Sequence, residues 1–180
     1  GKGLSNRKKN NETDLVTISH NKKKNYLIED GTPVPALIDL GIMNKDGIVT
    51  KAGYDKFKQI NRFLEIIDDS IHNEKKLNII DFGCGKSYLT FILYYYLVEI
   101  KKMECHITGL DLKEDVIDHC NEIASKYGYT NIKFYKGDIQ EFSKTNDVDM
   151  IVTLHACDTA NDFALYHAIN MNCKYIFLFS

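Results

Sequence analysis

Leu77-Asn78-Ile79-Ile80-Asp81-Phe82-Gly83-Cys84-Gly85-Lys86-Ser87 carries an apolar run into an acidic residue and then into two glycines one residue apart. The segment after it, Tyr88 to Ile100, is apolar and long enough for a helix. A strand, a glycine turn and a helix start make a cradle for a nucleotide-like cofactor, because the first amides of a helix are left without internal partners.

Three cofactor patterns compete for this turn. Gly85-Lys86-Ser87 spells the end of a phosphate-binding P-loop, but Ile80 stands where that loop needs its first glycine. A dinucleotide fingerprint, G-x-G-x-x-G, would put its third glycine at Tyr88, which is too bulky for close helix–strand packing. The pattern D-x-G-x-G-x-[G/S] of an S-adenosylmethionine loop is met by Asp81, Gly83, Gly85 and Ser87. That cofactor has no pyrophosphate and carries two cationic groups, so a carboxylate beside the turn attracts it. Glycines that serve turn geometry alone are the plain alternative.

The pattern around this turn is regular. Strand 77–82 is followed by helix 87–102, strand 105–111 by helix 113–127, and strand 131–135 by a short helix or loop near 139–144. Strand 148–154 precedes helix 159–170, and Tyr175 to Phe179 forms a last strand. Apolar strands alternating with helices predict an α/β fold with a parallel sheet covered on both faces. Upstream, Tyr54, Phe57, Ile60, Phe63, Leu64, Ile67 and Ile71 recur at helical spacing and predict a helix over 54–71 whose apolar face docks on the rest. Gln59 and Arg62 share one side of it and are expected to face the pocket. Ala36 to Met43 is read as one or two helical turns closed by Asn44-Lys45-Asp46-Gly47. Tyr94-Tyr95-Tyr96 and Phe91 are expected to pack on the sheet. The expected division is a basic leader at 1–24, a helical extension at 25–75 and the cofactor domain at 76–180, read as a fragment whose C-terminal strands are missing.

The 180 residues can bury a sizeable core, and 44% hydrophobic with 27% charged residues describes a globular chain. The longest apolar run, Leu89 to Val98 with one Thr, is too short to span a bilayer. Five cysteines without a C-x-x-C pair, and no visible secretory signal, lead to reduced thiols in a cytoplasmic protein as the expectation. Seven Lys/Arg against Glu12 and Asp14 give residues 1–24 a net +5, which leaves −7 on the rest of a chain whose total is −2. A basic arm on an acidic body fits nucleic acid, or a solvated leader with no partner.

Strand ends mark the remaining candidates, since open α/β sheets bind ligands at the carboxyl edge. Asp111 closes the second strand, thirty positions after Asp81. It can accept both ribose hydroxyls or cap the next helix. Leu112 follows it. Gly137-Asp138-Ile139 ends the third strand, where Asp138 can meet an adenine amino group and Ile139 its ring; Gly-Asp is also an ordinary turn. Thr153-Leu154-His155-Ala156-Cys157-Asp158-Thr159 ends the fourth. His155 fits a base or positioning group, Cys157 a thiol at the site or core filler, and Asp158 a pocket wall or a helix cap. No spacing of the remaining histidines marks a metal site.

Asp81-Phe82-Gly83-Cys84-Gly85-Lys86-Ser87, Gly109-Leu110-Asp111-Leu112-Lys113, Gly137-Asp138-Ile139 and Leu154-His155-Ala156-Cys157-Asp158-Thr159, in this order, resemble a class I S-adenosylmethionine-dependent methyltransferase. More narrowly, they resemble the group with an H-A-C-D-T motif after strand four, which includes bacterial and eukaryotic methyltransferase-like proteins. Lys56-Phe57-Lys58-Gln59-Ile60-Asn61-Arg62-Phe63 is similar to the K-F-R-Q-I-N-R-F helix of that group. The resemblance covers residues 21–180. It implies a Rossmann-like, doubly wound parallel sheet, S-adenosylmethionine as cofactor, and methyl transfer to RNA or protein. It places the cofactor on Asp81, Gly83, Cys84, Gly85, Ser87, Asp111, Leu112, Asp138, Ile139 and His155, and the chemistry on His155, Cys157 and Asp158. It also implies a further P-C-C-containing segment after strand five. The alternatives are a cofactor-binding module without chemistry and an NAD-linked oxidoreductase, the latter opposed by Tyr88.

Overall fold

A computed structural model of the chain describes residues 26–71, 73–85, 88–138, 141–142, 147–153 and 173–179. The elements in chain order are α1 (Pro35–Asp39), α2 (Tyr54–Ile71), β1 (Lys76–Phe82), α3 (Leu89–Tyr94), β2 (Glu104–Asp111), α4 (Glu114–Tyr127), β3 (Ile132–Lys136), β4 (Met150–Thr153) and β5 (Tyr175–Leu178). The strands form one sheet in the order β3-β2-β1-β4-β5, with every neighbouring pair parallel. Strand order runs outward in one direction from β1 to β3 and in the other from β4 to β5. The reversal between β1 and β4 opens a crevice at their carboxyl ends, where ligands bind in such sheets.

Alternation along the strands divides the core. Leu77, Ile79, Cys105, Ile107, Ile132, Phe134, Met150 and Val152 belong to the large cluster that includes buried residues of α3 and α4. Ile80, Leu110 and Ile151 form a second cluster joined by Phe82, Phe142, Val148, Cys173 and Ile176. Central strands are therefore apolar on both sides, as buried parallel strands must be.

The helix expected over 87–102 differs in detail. It is α-helical only over α3 and continues as a π-helix from Tyr95 to Ile100. Tyr94 and Tyr96 are both buried although they lie on different sides of the helix. Tyr94 stacks on Tyr129 with centroids 4.4 Å apart, while Tyr96 lies against Asp68 of α2. A helix held from two sides is apolar nearly all round, which explains the unbroken run. Of the apolar set assigned to α2, Tyr54 is the exception, at 45% exposed; it sits at the first turn with Lys58 over its ring.

The N-terminal extension is built into the same core as the sheet. Ile28, Val34, Ala36 and Leu37 are fully buried in the large cluster with Phe57, Leu64, Ile67 and Ile71 of α2. Asn61, 4% exposed, is the polar residue of this helix that lies inside. Its Nδ2 donates to Phe57 O (3.1 Å), and its Oδ1 accepts from the Ile28 backbone N–H (2.8 Å), so it fastens the incoming chain to α2. Asp68 pairs with Lys101 beyond the π-helix, and Asp39 of α1 accepts from Tyr127 OH and Lys126 Nζ at the end of α4. The hydrogen bond from Tyr127, then the charge of Lys126, outweigh desolvation and hold the Asp39 carboxyl below its usual range. Asn61→Ala strands the buried Ile28 amide. The expected loss is about 1–3 kcal/mol in denaturant unfolding, with faster amide exchange at Ile28.

Candidate functional site

The turn after β1 is shaped by two left-handed glycines and fastened to the end of β2. Gly83 (φ +65°) and Gly85 (φ +55°) take a conformation that side chains oppose. Gly83 N–H and Cys84 N–H both donate to Leu110 O, at 2.8 and 3.2 Å. Gly85 N–H donates to Asp111 Oδ2 (3.1 Å), and the other carboxylate oxygen of Asp111 accepts from Lys113 N–H (2.9 Å). Asp111 thus links the turn to the start of α4. The residue flanking α4 at its N-terminus is Lys113, so Asp111 does not cap that helix directly. Each oxygen keeps a lone pair for a further donor.

Asp81 sits beneath the turn, 2% exposed, on the face shared with Ile79. The hydroxyl of Thr90 donates to its Oδ2, while Oδ1 has no hydrogen-bond partner among the described residues. Burial, with a smaller contribution from the negative charge of Asp111, raises its carboxyl from the ordinary 3.8 to about 7 against the opposing pull of Thr90. At the end of β4, Thr153 Oγ1 is likewise buried without a partner among the described residues. Orphaned polar atoms at two strand ends are where a polar ligand is expected.

The other candidates fall in different surroundings. Cys84 is buried, its thiol against that of Cys120 on α4, and the Cys120 Sγ approaches Gly85 O at 3.4 Å. The hydrogen bond to Cys120 and burial push the Cys84 thiol upward. Only its backbone is in the turn surface. Leu112, 69% exposed, stands open beside Asp111. Asp138 Oδ1 accepts from Glu141 N–H (2.9 Å), as the ordinary-turn alternative expects. Asp138 also lines a cavity of about 490 Å³ with Leu110, Tyr135, Lys136, Gly137 and Phe142, at the ends of β2 and β3. Gln59 and Arg62 are exposed, and Arg62 pairs with Glu65 of its own helix at 3.1 Å. The neighbouring Phe63 meets Phe179, beyond β5, with centroids 4.7 Å apart. Ser87, Ile139, His155, Cys157 and Asp158 lie outside the described residues.

Thr90 escaped the sequence reading, although a signal was present: it is the one aliphatic hydroxyl in the run Leu89 to Val98. A hydroxyl inside an apolar helix needs a buried partner, and Asp81 is that partner.

The strand order and the glycine turn at the crevice define a Rossmann-like methyltransferase fold. The family described as a methyltransferase domain matches residues 55–180, and the chain belongs to it. S-adenosylmethionine is the methyl donor that family and fold imply. Among curated relatives, malonyl-[acyl-carrier protein] O-methyltransferase of Acetivibrio thermocellus is 24% identical over 131 residues, covering 70% of this chain and 43% of its own. A mouse glutathione S-transferase C-terminal domain-containing protein is 26% identical over 98 residues, 54% of this chain and 14% of its own. The chain therefore spans less than half the length of either. A solved Listeria monocytogenes protein, assigned to the class I S-adenosylmethionine-dependent methyltransferases, superposes with a TM-score of 0.51 at 12% identity, over 63% of this chain and 41% of that one. Among the described residues, no helix is long and apolar enough to cross a membrane.

The raised Asp81 carboxyl makes a stability prediction. The folded chain holds this proton more tightly than the unfolded chain, so the fold is favoured at low pH and loses stability as the pH rises from about 4 towards 7. Asp81→Asn removes that loss. The unliganded variant is expected to melt several degrees above the wild type at about pH 8, with a much smaller gain near pH 5, in paired thermal scans.

Proposed function

We propose that the protein binds S-adenosylmethionine in the turn after β1 and transfers its methyl group to RNA, with protein as the second acceptor class. The observation that carries the cofactor reading is Asp81, a buried carboxylate at the crevice with one oxygen unpartnered among the described residues. An acid there can ionise to pair with the cationic cofactor, whereas a pyrophosphate would oppose that ionisation, which weighs against NAD. Tyr88, in place of a third glycine, weighs in the same direction.

When bound, the cofactor supplies a sulfonium-activated methyl group, and in-line attack by the acceptor breaks the carbon–sulfur bond and leaves S-adenosylhomocysteine. The chain's own part is positioning and exclusion of water. Gly83 and Gly85 let the backbone approach the ligand, while Asp111 offers its remaining lone pairs to the ribose hydroxyls. By the resemblance, Leu112 and Ile139 would hold the adenine ring and Asp138 its amino group. By the resemblance, His155 of the H-A-C-D-T motif would take the proton of the acceptor or hold it, with Cys157 and Asp158 assigned to the same chemistry. Gln59 and Arg62 meet the acceptor from α2. The narrower resemblance to the H-A-C-D-T group supports an RNA acceptor, as does the net +5 of residues 1–24, which suits phosphates. The strand-four motif is not the N-P-P-[YF] type that serves planar exocyclic amines, so adenine N6 is disfavoured.

Asp111→Ala is expected to weaken S-adenosylmethionine by about 1–3 kcal/mol in calorimetry. Unchanged affinity rejects the ribose role, and tighter binding of NAD than of S-adenosylmethionine rejects the cofactor. His155→Ala in the complete protein is expected to lower turnover, with cofactor affinity within a few-fold and an unchanged melting temperature. A large fall in melting temperature instead marks a structural histidine. Radiolabelled methyl transfer into fractionated cellular RNA and protein decides the acceptor: label confined to protein overturns RNA.

A further inference from the structure

We infer that Asp81 keeps its proton in the free protein below neutral pH and that arrival of the cofactor's cationic end expels it, so that binding is proton-linked. This rests on the cofactor reading above and names how the same site responds to pH.

The geometry leaves Asp81 poorly equipped to hold a charge alone. The side chain is almost fully buried, and its one donor among the described residues is the Thr90 hydroxyl on α3. Oδ1 has none. From β2 the facing charged group is Asp111, a second carboxylate that is tied into the same turn. The Cys84 thiol of the turn and the Cys120 thiol of α4 lie nearby, and the thiol of Cys84 is held protonated by burial and by its partner. From β4 the register neighbour is Val152, which is apolar. Lys86 and Ser87 belong to the turn but lie outside the described residues. A buried carboxyl with one donor, one orphan oxygen and a like charge opposite keeps its proton; the carboxyl of about 7 agrees with that arrangement.

A cation placed at Oδ1 reverses the balance, since an opposite charge within a few ångströms favours the ionised form. The O–H bond of Asp81 breaks, its proton passes to the buffer, and the carboxylate left behind pairs with the ligand. With a free-state value of about 7, linkage gives release of about nine-tenths of a proton at pH 6 and affinity about fivefold weaker at pH 6 than at pH 7. At pH 6 the cofactor's own amine is already protonated, because an α-amino group titrates near 7.7–8.0, so it contributes no proton.

The test is calorimetric titration of S-adenosylmethionine into the full chain at pH 6, in two buffers of widely different ionisation enthalpy. The expected result is a buffer-dependent heat equivalent to nearly one proton released, and a buffer-independent heat for Asp81→Asn. The wild-type comparison needs no variant, so it stands even where Asp81→Asn fails to fold. Thr90→Val gives a second check: loss of its hydroxyl moves the pH at which release fades upward. Wild-type binding with buffer-independent heat overturns the inference alone, as does undiminished release from Asp81→Asn. Absence of binding at every pH overturns the cofactor reading and this inference with it.

Discussion

The turn after β1 hangs from the end of β2 by three backbone amides. Gly83 and Cys84 share the Leu110 carbonyl, and Gly85 takes the Asp111 carboxylate. A loop that leaves a strand in a left-handed conformation has no sheet partner of its own, so its amides must be satisfied from outside. Here that duty falls to the neighbouring strand, whose parallel register from Lys76–Glu104 to Phe82–Leu110 brings Leu110 level with the turn. The attachment fixes the turn at the carboxyl edge of the sheet, beside the opening that the strand order leaves between β1 and β4. Asp111 is consequently a structural member of the turn before any ligand arrives.

The sheet was legible in the sequence because each strand is a short apolar run bounded by glycine or charged residues. Helix 54–71 matches its predicted span, since seven apolar positions repeated at one spacing leave no other period open. The start of α3 at Leu89 and the π-helical turn from Tyr95 were hidden. An apolar run reads the same whichever backbone hydrogen bond it makes, and the wider turn is set by neighbours on two sides, Tyr129 and Asp68. In the turn, spacing pointed to Asp81, Gly83, Gly85 and Asp111 as candidates, and the two glycines take the left-handed backbone that such a turn demands. The Thr90 and Cys120 contacts were not, because they link residues nine and thirty-five positions away and depend on how α3 and α4 lie over the sheet.

Asp81 and Asp111 show two ways for a carboxylate to sit in one turn. Asp111 is half-buried and accepts two backbone N–H groups. Asp81 is almost fully buried and has a single hydroxyl donor among the described residues, and burial pushes its carboxyl up to about 7. The two acids therefore differ in what holds them: Asp111 is tied by backbone amides into the turn, and Asp81 is buried beneath it with one oxygen unpartnered among the described residues.

The buried seam between the N-terminal segment and the sheet sets what can be cut out of this chain as a working piece. A boundary drawn at 76, where the first strand begins, would strip Ile28, Val34, Leu37 and the inner face of α2 from the core they complete. It would also leave Lys101 and Tyr127 without the acids they hold. The smallest transplantable unit therefore begins by Tyr26, whose ring meets Phe57 edge-on, and any chimera or permuted form that joins new sequence here inherits a hydrophobic wall in place of a neutral linker.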